Sequence, residues 1–448
     1  MSDHDRLCRC RHSTAQWRRS LPDPDRALRL RTAGAPFCVT AGAMRASCCK
    51  QADPMCIWIV GTERHTWAVT SNLRIRGCLT LFVSVGLVAS VVVGVAPKAS
   101  ATAVWSVVPS PNPAGAMQDQ LLGVSCRSTT SCFAVGDYTR GTMDSLVERW
   151  NGGSWEIMHS RNPVGFTSAS LVGVSCPSTT SCFAVGSYTK FPIVRTLIEH
   201  WNGSRWAIMS SPNPTKSRTS QLAGVSCPSE TSCFAVGFSL GGGIRPLVEH
   251  WNGSRWSFMM NRSPPNDASL GSVSCPSAKS CFAVGRYDSF RGGFAVKSVV
   301  EHWNGRGSWS TMLGTPNPTS DTALGGVSCP SPTNCFAVGY SNRSVIEHWG
   351  GRGDWSVMAS PDLGFGSVLG GVSCSNTTSC VAIGTSASIL YGVVEQWNGK
   401  SWSLSSTVSL PVQFGLAGVS CPRTNNCFAV GSRPPNTDRS KTLIERYA

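Results

Sequence analysis

Gly173-Val174-Ser175-Cys176-Pro177-Ser178-Thr179-Thr180-Ser181-Cys182-Phe183-Ala184-Val185-Gly186, followed after a short gap by Leu197-Ile198-Glu199-His200-Trp201-Asn202-Gly203-Ser204-Arg205-Trp206, is the stretch that decides the fold, because the chain from Val104 to Ala448 writes it seven times. Its cysteine pairs are Cys126/Cys132, Cys176/Cys182, Cys227/Cys233, Cys275/Cys281, Cys329/Cys335, Cys374/Cys380 and Cys421/Cys427, whose starts are 50, 51, 48, 54, 45 and 47 residues apart. A period near fifty, rich in β-branched, aromatic and glycine residues and without a 3.6-residue pattern, reads as a β-propeller or similar all-β array. Each copy holds four strand-length pieces, L-x-G-V-S-C, C-F-A-V-G, L-I-E-H-W-N and W-x-x-M, and four strands make a propeller blade. The last two are joined by an Asn-Gly turn, strong hairpin chemistry. Apolar residues on both strand faces are what stacked blades need.

Six copies end in a tryptophan segment, at Trp155, Trp206, Trp256, Trp309, Trp355 and Trp402, whereas the seventh stops at Glu445-Arg446-Tyr447-Ala448. The missing piece stands at the other end: Val104-Trp105-Ser106-Val107-Val108-Pro109-Ser110-Pro111-Asn112-Pro113 matches the stretch from Trp206 to Pro214. A ring gains from splitting a repeat between its termini, since pairing the first strand with the last three hides both sheet edges. The expectation is therefore an all-β, seven-bladed β-propeller of four strands per blade, closed by the N-terminal strand completing the last blade.

Residues 104–448 supply about 49 residues per copy, so one ring uses all of them. Before them, Arg74 and Arg76 precede an apolar run from Cys78 to Ala96, and Ala101-Thr102-Ala103 ends the segment. Residues 69–103 read as a signal peptide cleaved near Ala103, giving a secreted protein; the alternative is an anchor through 78–96 with the propeller outside. Residues 1–68 are arginine-rich, lack hydrophobic periodicity and are read as an unstructured extension or an upstream start site.

All 14 cysteines after Ala103 fall in the seven pairs, and an even count in an exported chain points to disulfides. Six positions across a hairpin loop bring two Cβ atoms to facing strands, and each bridge contributes roughly 2 kcal/mol in the chain-entropy model. Metal sites fail on ligand count, since two thiolates per blade with no further ligand at a fixed offset do not complete a four-coordinate site. No cofactor motif is present: there is no H-E-x-x-H, no G-x-S-x-G and no phosphate-binding glycine loop.

At Glu199-His200-Trp201-Asn202-Gly203-Ser204-Arg205-Trp206 the chain resembles the Asp-box (BNR-type) propellers, whose box ends in glycine, two residues and tryptophan; Glu199 and Trp201 stand where that family has serine and aspartate. Phe183-Ala184-Val185-Gly186 resembles the second strand of secreted sialidase-like and photosystem-assembly-factor-like propellers. Kelch propellers share the period with a different glycine signature. The resemblance covers 104–448 for fold and implies no catalytic residue here.

Residues present in every copy are explained by what every blade needs. The glutamates from Glu148 to Glu445 occur seven times, and a structural role, capping main-chain N–H groups at a neighbouring turn, fits them better than catalysis. His200, His250, His302 and His348 lie on separate blades, too far apart to share an ion. Function is sought where copies differ, in the loops joining second to third strands.

The net charge of +15 falls to +7 for residues 104–448, and these loops carry that surplus. Their basic residues are Arg140, Lys190, Arg195, Arg245, Arg286, Arg291, Lys297, Arg343, Arg433, Arg439 and Lys441, against Asp137, Asp144, Asp288 and Asp438. Tyr138, Tyr188, Phe238, Tyr287 and Tyr340 open five of them. The binding candidates are Tyr138, Arg140, Tyr188, Lys190, Arg195, Arg245, Arg286, Tyr287, Arg291 and Lys297. Such a rim suits an acidic polysaccharide, a wall polymer or an acidic protein. Export disfavours nucleic acid, and a monomer is expected. The alternatives are a glycan-active hydrolase or lyase, which would place Asp144, Asp288 or Asp438 at the channel mouth, and a purely structural surface protein.

Overall fold

The computed structural model describes residues 58–62, 66–70, 103–262, 267–289, 295–312, 314–319, 321–386, 392–405, 415–436 and 439–448. The apolar run 78–96, the residues Ala101 and Thr102 beside the expected cleavage point, Arg291 and Asp438 lie outside them. Two compact units divide at Ala96/Pro97. In the first, β1 (Trp58–Thr62) and β2 (Thr66–Thr70) form an antiparallel hairpin, in a stretch for which the sequence predicts no structure. Among the described residues no helix is long and apolar enough to cross a membrane.

In the second unit every described element is a strand. After β3 (Trp105–Val108), the first repeat lays down β4 (Gln118–Ser128), β5 (Ser131–Arg140), β6 (Thr142–Trp150) and β7 (Trp155–Met158) as an antiparallel meander. The second repeats this with β8 (Ser168–Ser175), β9 (Cys182–Lys190), β10 (Ile193–Trp201) and β11 (Trp206–Ile208). The Asn-Gly turns are closed by the asparagine side chain: Asn202 Oδ1 accepts the N–H groups of Ser204 (3.1 Å) and Arg205 (3.0 Å). The strand Arg439–Tyr447 finds its fourth-strand partner in β3, with Trp105 opposite Tyr447.

The apolar residues on both strand faces meet between repeats. Phe133 sits against Trp201 and Trp206 of the next repeat, centroids 5.4 and 5.3 Å away, the latter edge-on. The same wedge recurs as Phe183 with Trp251 and Trp256, Phe336 with Trp397 and Trp402, and Phe428 with Trp150 and Trp155. The last of these joins the final repeat to the first. Only the copy with Val381 in the phenylalanine position differs: there Val381 packs in a cluster with Trp105, Leu416 and Leu443.

All seven expected cysteine pairs are joined as disulfides across the loop between first and second strands: Cys126–Cys132, Cys176–Cys182, Cys227–Cys233, Cys275–Cys281, Cys329–Cys335, Cys374–Cys380 and Cys421–Cys427, with Cα–Cα 3.9–4.1 Å. The second cysteine of each pair, Cys132, Cys182, Cys233, Cys281, Cys335, Cys380 or Cys427, is fully buried at 0–2% exposure. It stands at the head of the second strand, where it packs under the aromatic wedge. Cys132 shares a cluster with Phe428, Trp150 and Trp155, Cys182 with Phe133 and Trp206, and Cys233 with Phe183 and Trp256. Cys281 packs likewise with Phe234 and Trp309, Cys335 with Phe282 and Trp355, Cys380 with Phe336 and Trp402, and Cys427 with Val381 and Trp105. A half-cystine is a small apolar group, so it fills core volume as well as closing a loop.

The serine of V-S-C makes a second joint. Its Oγ accepts the main-chain N–H of the following repeat's first cysteine: Ser125 from Cys176 (3.1 Å), Ser175 from Cys227 (3.0 Å), Ser226 from Cys275 (3.0 Å), Ser274 from Cys329 (3.0 Å), Ser328 from Cys374 (3.0 Å) and Ser373 from Cys421 (3.0 Å). Ser420 then accepts from Cys126 (2.9 Å), returning to the first repeat. A first strand has unpaired main-chain donors on its free edge, and this hydroxyl satisfies one per joint.

First strands from every repeat line a narrow cavity of about 240 Å³ through Leu122, Val172, Ala223, Gly271, Gly325, Gly370, Ala417 and their neighbours. The glycine after the bulged residue sets its width: a Cβ on Gly173 would lie 3.1 Å from the Ala223 carbonyl oxygen, and one on Gly418 2.9 Å from that of Leu122. Backbone-to-backbone approach of this kind favours glycine, and the one larger residue at the position, Ser272 of the fourth repeat, accepts the Val327 N–H of the next repeat (3.3 Å).

Candidate functional site

The repeated acids and imidazoles take structural places. Glu148, Glu199, Glu249, Glu301, Glu347, Glu395 and Glu445 are fully buried. Their partner is not, in the main, the expected backbone turn but a serine hydroxyl from the preceding linker. Ser110 donates to Glu148 (3.0 Å), Ser160 to Glu199 (2.8 Å), Ser211 to Glu249 (3.0 Å) and Ser360 to Glu395 (3.0 Å); Glu199 also accepts the main-chain N–H of Arg161. One hydroxyl does not replace the water a carboxylate loses, and Glu347 and Glu445 have none among the described residues, so burial pushes these groups up, to about 8 for Glu148, Glu249 and Glu347 and about 7 for Glu199, Glu395 and Glu445.

A pH dependence follows. The unfolded chain ionises these groups near 4.5, while the folded one holds their protons to about 7 or 8. Between those values the native state binds more protons at these groups, so their contribution to stability is full at and below about pH 4.5 and is lost as pH rises through about 8. The four half-buried histidines, whose pKa is lowered, act in the opposite sense below about 6.5, so thermal midpoints should drop from about pH 6.5 to 9, and Glu249→Gln should raise the midpoint at pH 9 by roughly 3 °C while leaving that at pH 4.5 unchanged.

His200 stacks on Phe183 (centroids 4.4 Å) with Nε2 3.0 Å from Ser181 Oγ, and burial lowers the pKa of His200, His250, His302 and His348. In the same position Arg149 and Arg446 lie over the aromatic wedges. Among the described residues no cluster could hold a metal ion, and no acid or base lines the cavity between first strands.

The loop residues separate into two groups. Arg195 Nη1 donates to the Ser217 carbonyl (3.0 Å), Lys297 Nζ to that of Thr319 (3.3 Å), and Lys441 Nζ to Asp119 Oδ2 (2.9 Å). These three open third strands at equivalent positions, and each ties its repeat to the entry of the next. Tyr188 and Tyr287 are half-buried against inter-repeat clusters, and Arg245 and Arg286 are exposed on other repeats. Asp137 is buried, held by Gln120 Nε2 (3.1 Å) and Ser170 Oγ (2.6 Å), and burial raises its pKa. Asp144 accepts from Asn162 Nδ2 (3.0 Å) and Thr142 Oγ1 (3.1 Å).

Of the sequence candidates Tyr138 lines one groove, and Arg140 and Lys190 contact residues next to its lining. The groove has a volume of about 770 Å³ and runs between the outer parts of the first two repeats, lined by Tyr138, Ile157, Met158, His159, Arg161, Val164 and Ile208 among others. Pro113 closes one side, where Arg140 donates to the adjacent Ala114 carbonyl (3.3 Å). On the other, Lys190 lies over Gly165, beside Val164. Ile157, Ile208 and Val164 are 43%, 41% and 95% exposed. Tyr138 forms part of the wall, and burial followed by the Asp144 charge pushes its phenol up, so it stays a neutral donor. The bridged cysteines take no part in the lining.

His159 and Arg161 were missed by attention to the second-to-third loops. They lie in the linker Met158-His159-Ser160-Arg161-Asn162-Pro163, where other copies have Met209-Ser210-Ser211-Pro212-Asn213-Pro214. Ser160 and Asn162 turn inward, to Glu199 (2.8 Å) and Ser145 (2.8 Å). His159 and Arg161 are exposed, with no side-chain hydrogen bond or ion pair among the described residues. Their departure from the Ser/Pro pattern is the signal the sequence held.

No family profile matches the chain, and no curated protein does. Solved structures match in fold. YCF48 bound to D1 peptide is 14% identical, covers 77% of this chain and 94% of its own, with a TM-score of 0.50. The WD40 β-propeller domain of Doa1 is 14% identical over 77% of this chain and 97% of its own, TM-score 0.48. A GH74 xyloglucanase from Xanthomonas campestris is 13% identical over 76% and 55%, TM-score 0.47. At these identities the likeness shows the β-propeller fold and nothing of activity.

Proposed function

We propose that residues 104–448 are a seven-bladed propeller, closed by its own termini and exported, that binds an acidic ligand in the groove between its first two blades. The closure reading is supported by β3 pairing with Arg439–Tyr447, Ser420 accepting from Cys126, and Phe428 wedged against Trp150 and Trp155. Export is supported by the seven disulfides, which persist in oxidising compartments.

The observation that carries the binding reading is a mismatch of partners. His159 and Arg161 line the groove, with Arg140 and Lys190 beside its lining, and no carboxylate among the described residues is ion-paired to any of them, while Asp137, Asp144 and Glu199 are bonded to neutral groups. Cations left unpaired beside exposed apolar walls favour an acidic polymer or protein segment.

Polygalacturonate and poly-glutamate serve as probes for residues 104–448. Affinity for at least one should fall steeply between low and physiological salt, and Arg161→Ala with Lys190→Ala should cost about tenfold, ~1.4 kcal/mol. Arg286→Ala, on another blade, should change it less than about twofold. Salt-independent binding, or equal losses at both places, would remove the groove from the account.

A further inference from the structure

Resting on the groove as the binding place, we infer that its occupant is an extended acidic peptide segment of a partner protein, added as a strand along β11, rather than a glycan. The molecule contains its own precedent. After the third repeat the linker residues Asn261–Arg262 run parallel to the outer strand Trp309–Thr311 of the fourth, as a fifth strand. The Trp309 N–H donates to the Met260 carbonyl there (3.1 Å). The outer edge of a repeat is thus competent to take a further strand.

Trp206–Ile208 is the same edge in the second repeat, with Trp206 in the place of Trp309. Here the linker takes another course, inward through Ser160 to Glu199. Among the described residues β11 pairs only with β10, and the space beside it is the groove. The groove therefore adjoins the outer edge of β11 at Ile208, whose main-chain groups match the regular spacing of a peptide backbone better than that of a sugar chain.

Charge selects the kind of strand. His159 and Arg161 are both exposed and flank Ser160, which turns inward to Glu199; at the rise of extended chain, residues two apart stand about 6.7 Å from each other. Residues i and i+2 of an added strand share that spacing, so acidic side chains at alternate positions meet both cations. The residues between them turn toward Ile208 and Val164, where apolar side chains fit.

The test uses residues 104–448 and three probes: a short poly-glutamate peptide, the same peptide N-methylated at alternate residues, and an oligogalacturonate of equal charge. Labelled-probe anisotropy should show the plain peptide binding tightest, with at least about tenfold loss on N-methylation and at least about tenfold loss for the oligogalacturonate. His159→Ala and Arg161→Ala, both exposed and outside the core, should each weaken the peptide about fivefold. Equal binding of the N-methylated peptide, or preference for the sugar, overturns strand addition while leaving an acidic-ligand groove standing. If no acidic probe binds in a salt-sensitive way, both readings fall together.

Discussion

Gly237→Ala is expected to lower the thermal midpoint by about 4 °C, corresponding to about 3 kcal/mol, although it adds one methyl group. This glycine ends F-A-V-G, and a Cβ there would run into the main-chain carbonyl of Gln221 on the first strand of the same repeat. The equivalents meet the same obstacle: Gly136 at Gln120, Gly186 at Ser170, Gly285 at Ser269 and Gly339 at Ala323. No flexible side chain can move aside, and the first strand cannot retreat, because its bulge glycine already touches the neighbouring repeat's backbone. Gly370→Ala is the matched control. A Cβ there meets nothing within 4 Å, so the substitution should be neutral or slightly stabilising through the unfolded chain. Equal effects of the two would mean that backbone crowding does not explain the motif.

Trp105→Ala should cost about 4 kcal/mol, as much as losing a central core tryptophan, although it lies in a four-residue strand far from its partners in sequence. Trp105 is buried with Val381, Leu416 and Leu443, and its ring centroid lies 5.4 Å from that of Tyr447. The segment behind it adds polar ties, since Ser110 donates to Glu148 and Asn112 Oδ1 accepts the Thr442 N–H (3.1 Å). Removing the indole leaves a cavity and uncovers the edge of Arg439–Tyr447. Val381 and Tyr447 stand where other copies have phenylalanine and tryptophan, so this joint has the smallest aromatic wedge. Hydrogen exchange in Trp105→Ala should accelerate first in residues 415–447 and leave Gly173–Gly186 near wild type. Uniform acceleration would indicate that the terminal strand is not a separable joint.

Most of this architecture was legible because a repeat compares its own copies. Strand order, cysteine pairing and the detached tryptophan segment all follow from aligning seven versions of one phrase. What could not be read was which side chain of one copy meets which of the next. The pairing of Cys176 with Cys182 follows from spacing, but that Cys182 lies against Phe133 of the repeat before it does not. The serine of V-S-C is an unremarkable polar residue until its hydroxyl is seen to accept from Cys176 N–H one repeat on. The glutamates were expected to cap turn N–H groups, whereas the hydroxyl partners seen for four of them lie 35 to 39 residues away, in linkers the motif does not include. Charge misled in part: Arg195, Lys297 and Lys441 look like ligand-seeking loop residues, yet carbonyls and Asp119 occupy them. Of the candidate set Tyr138 shares the groove lining with His159 and Arg161, which a linker comparison would have exposed.

Closure of the ring by its own termini is the central proposal, and one engineered bridge tests it. Val104 and Ala448 exchange both main-chain hydrogen bonds, at 3.3 and 3.4 Å, so cysteines placed there face each other at the two chain ends. Purified 104–448 carrying Val104→Cys and Ala448→Cys should oxidise quantitatively within one molecule, giving a monomeric circular chain by mass spectrometry after proteolysis. Its midpoint should rise, with about 5 kcal/mol as the limit set by chain entropy for so long a loop. Free thiols or disulfide-linked dimers in the folded protein would contradict closure.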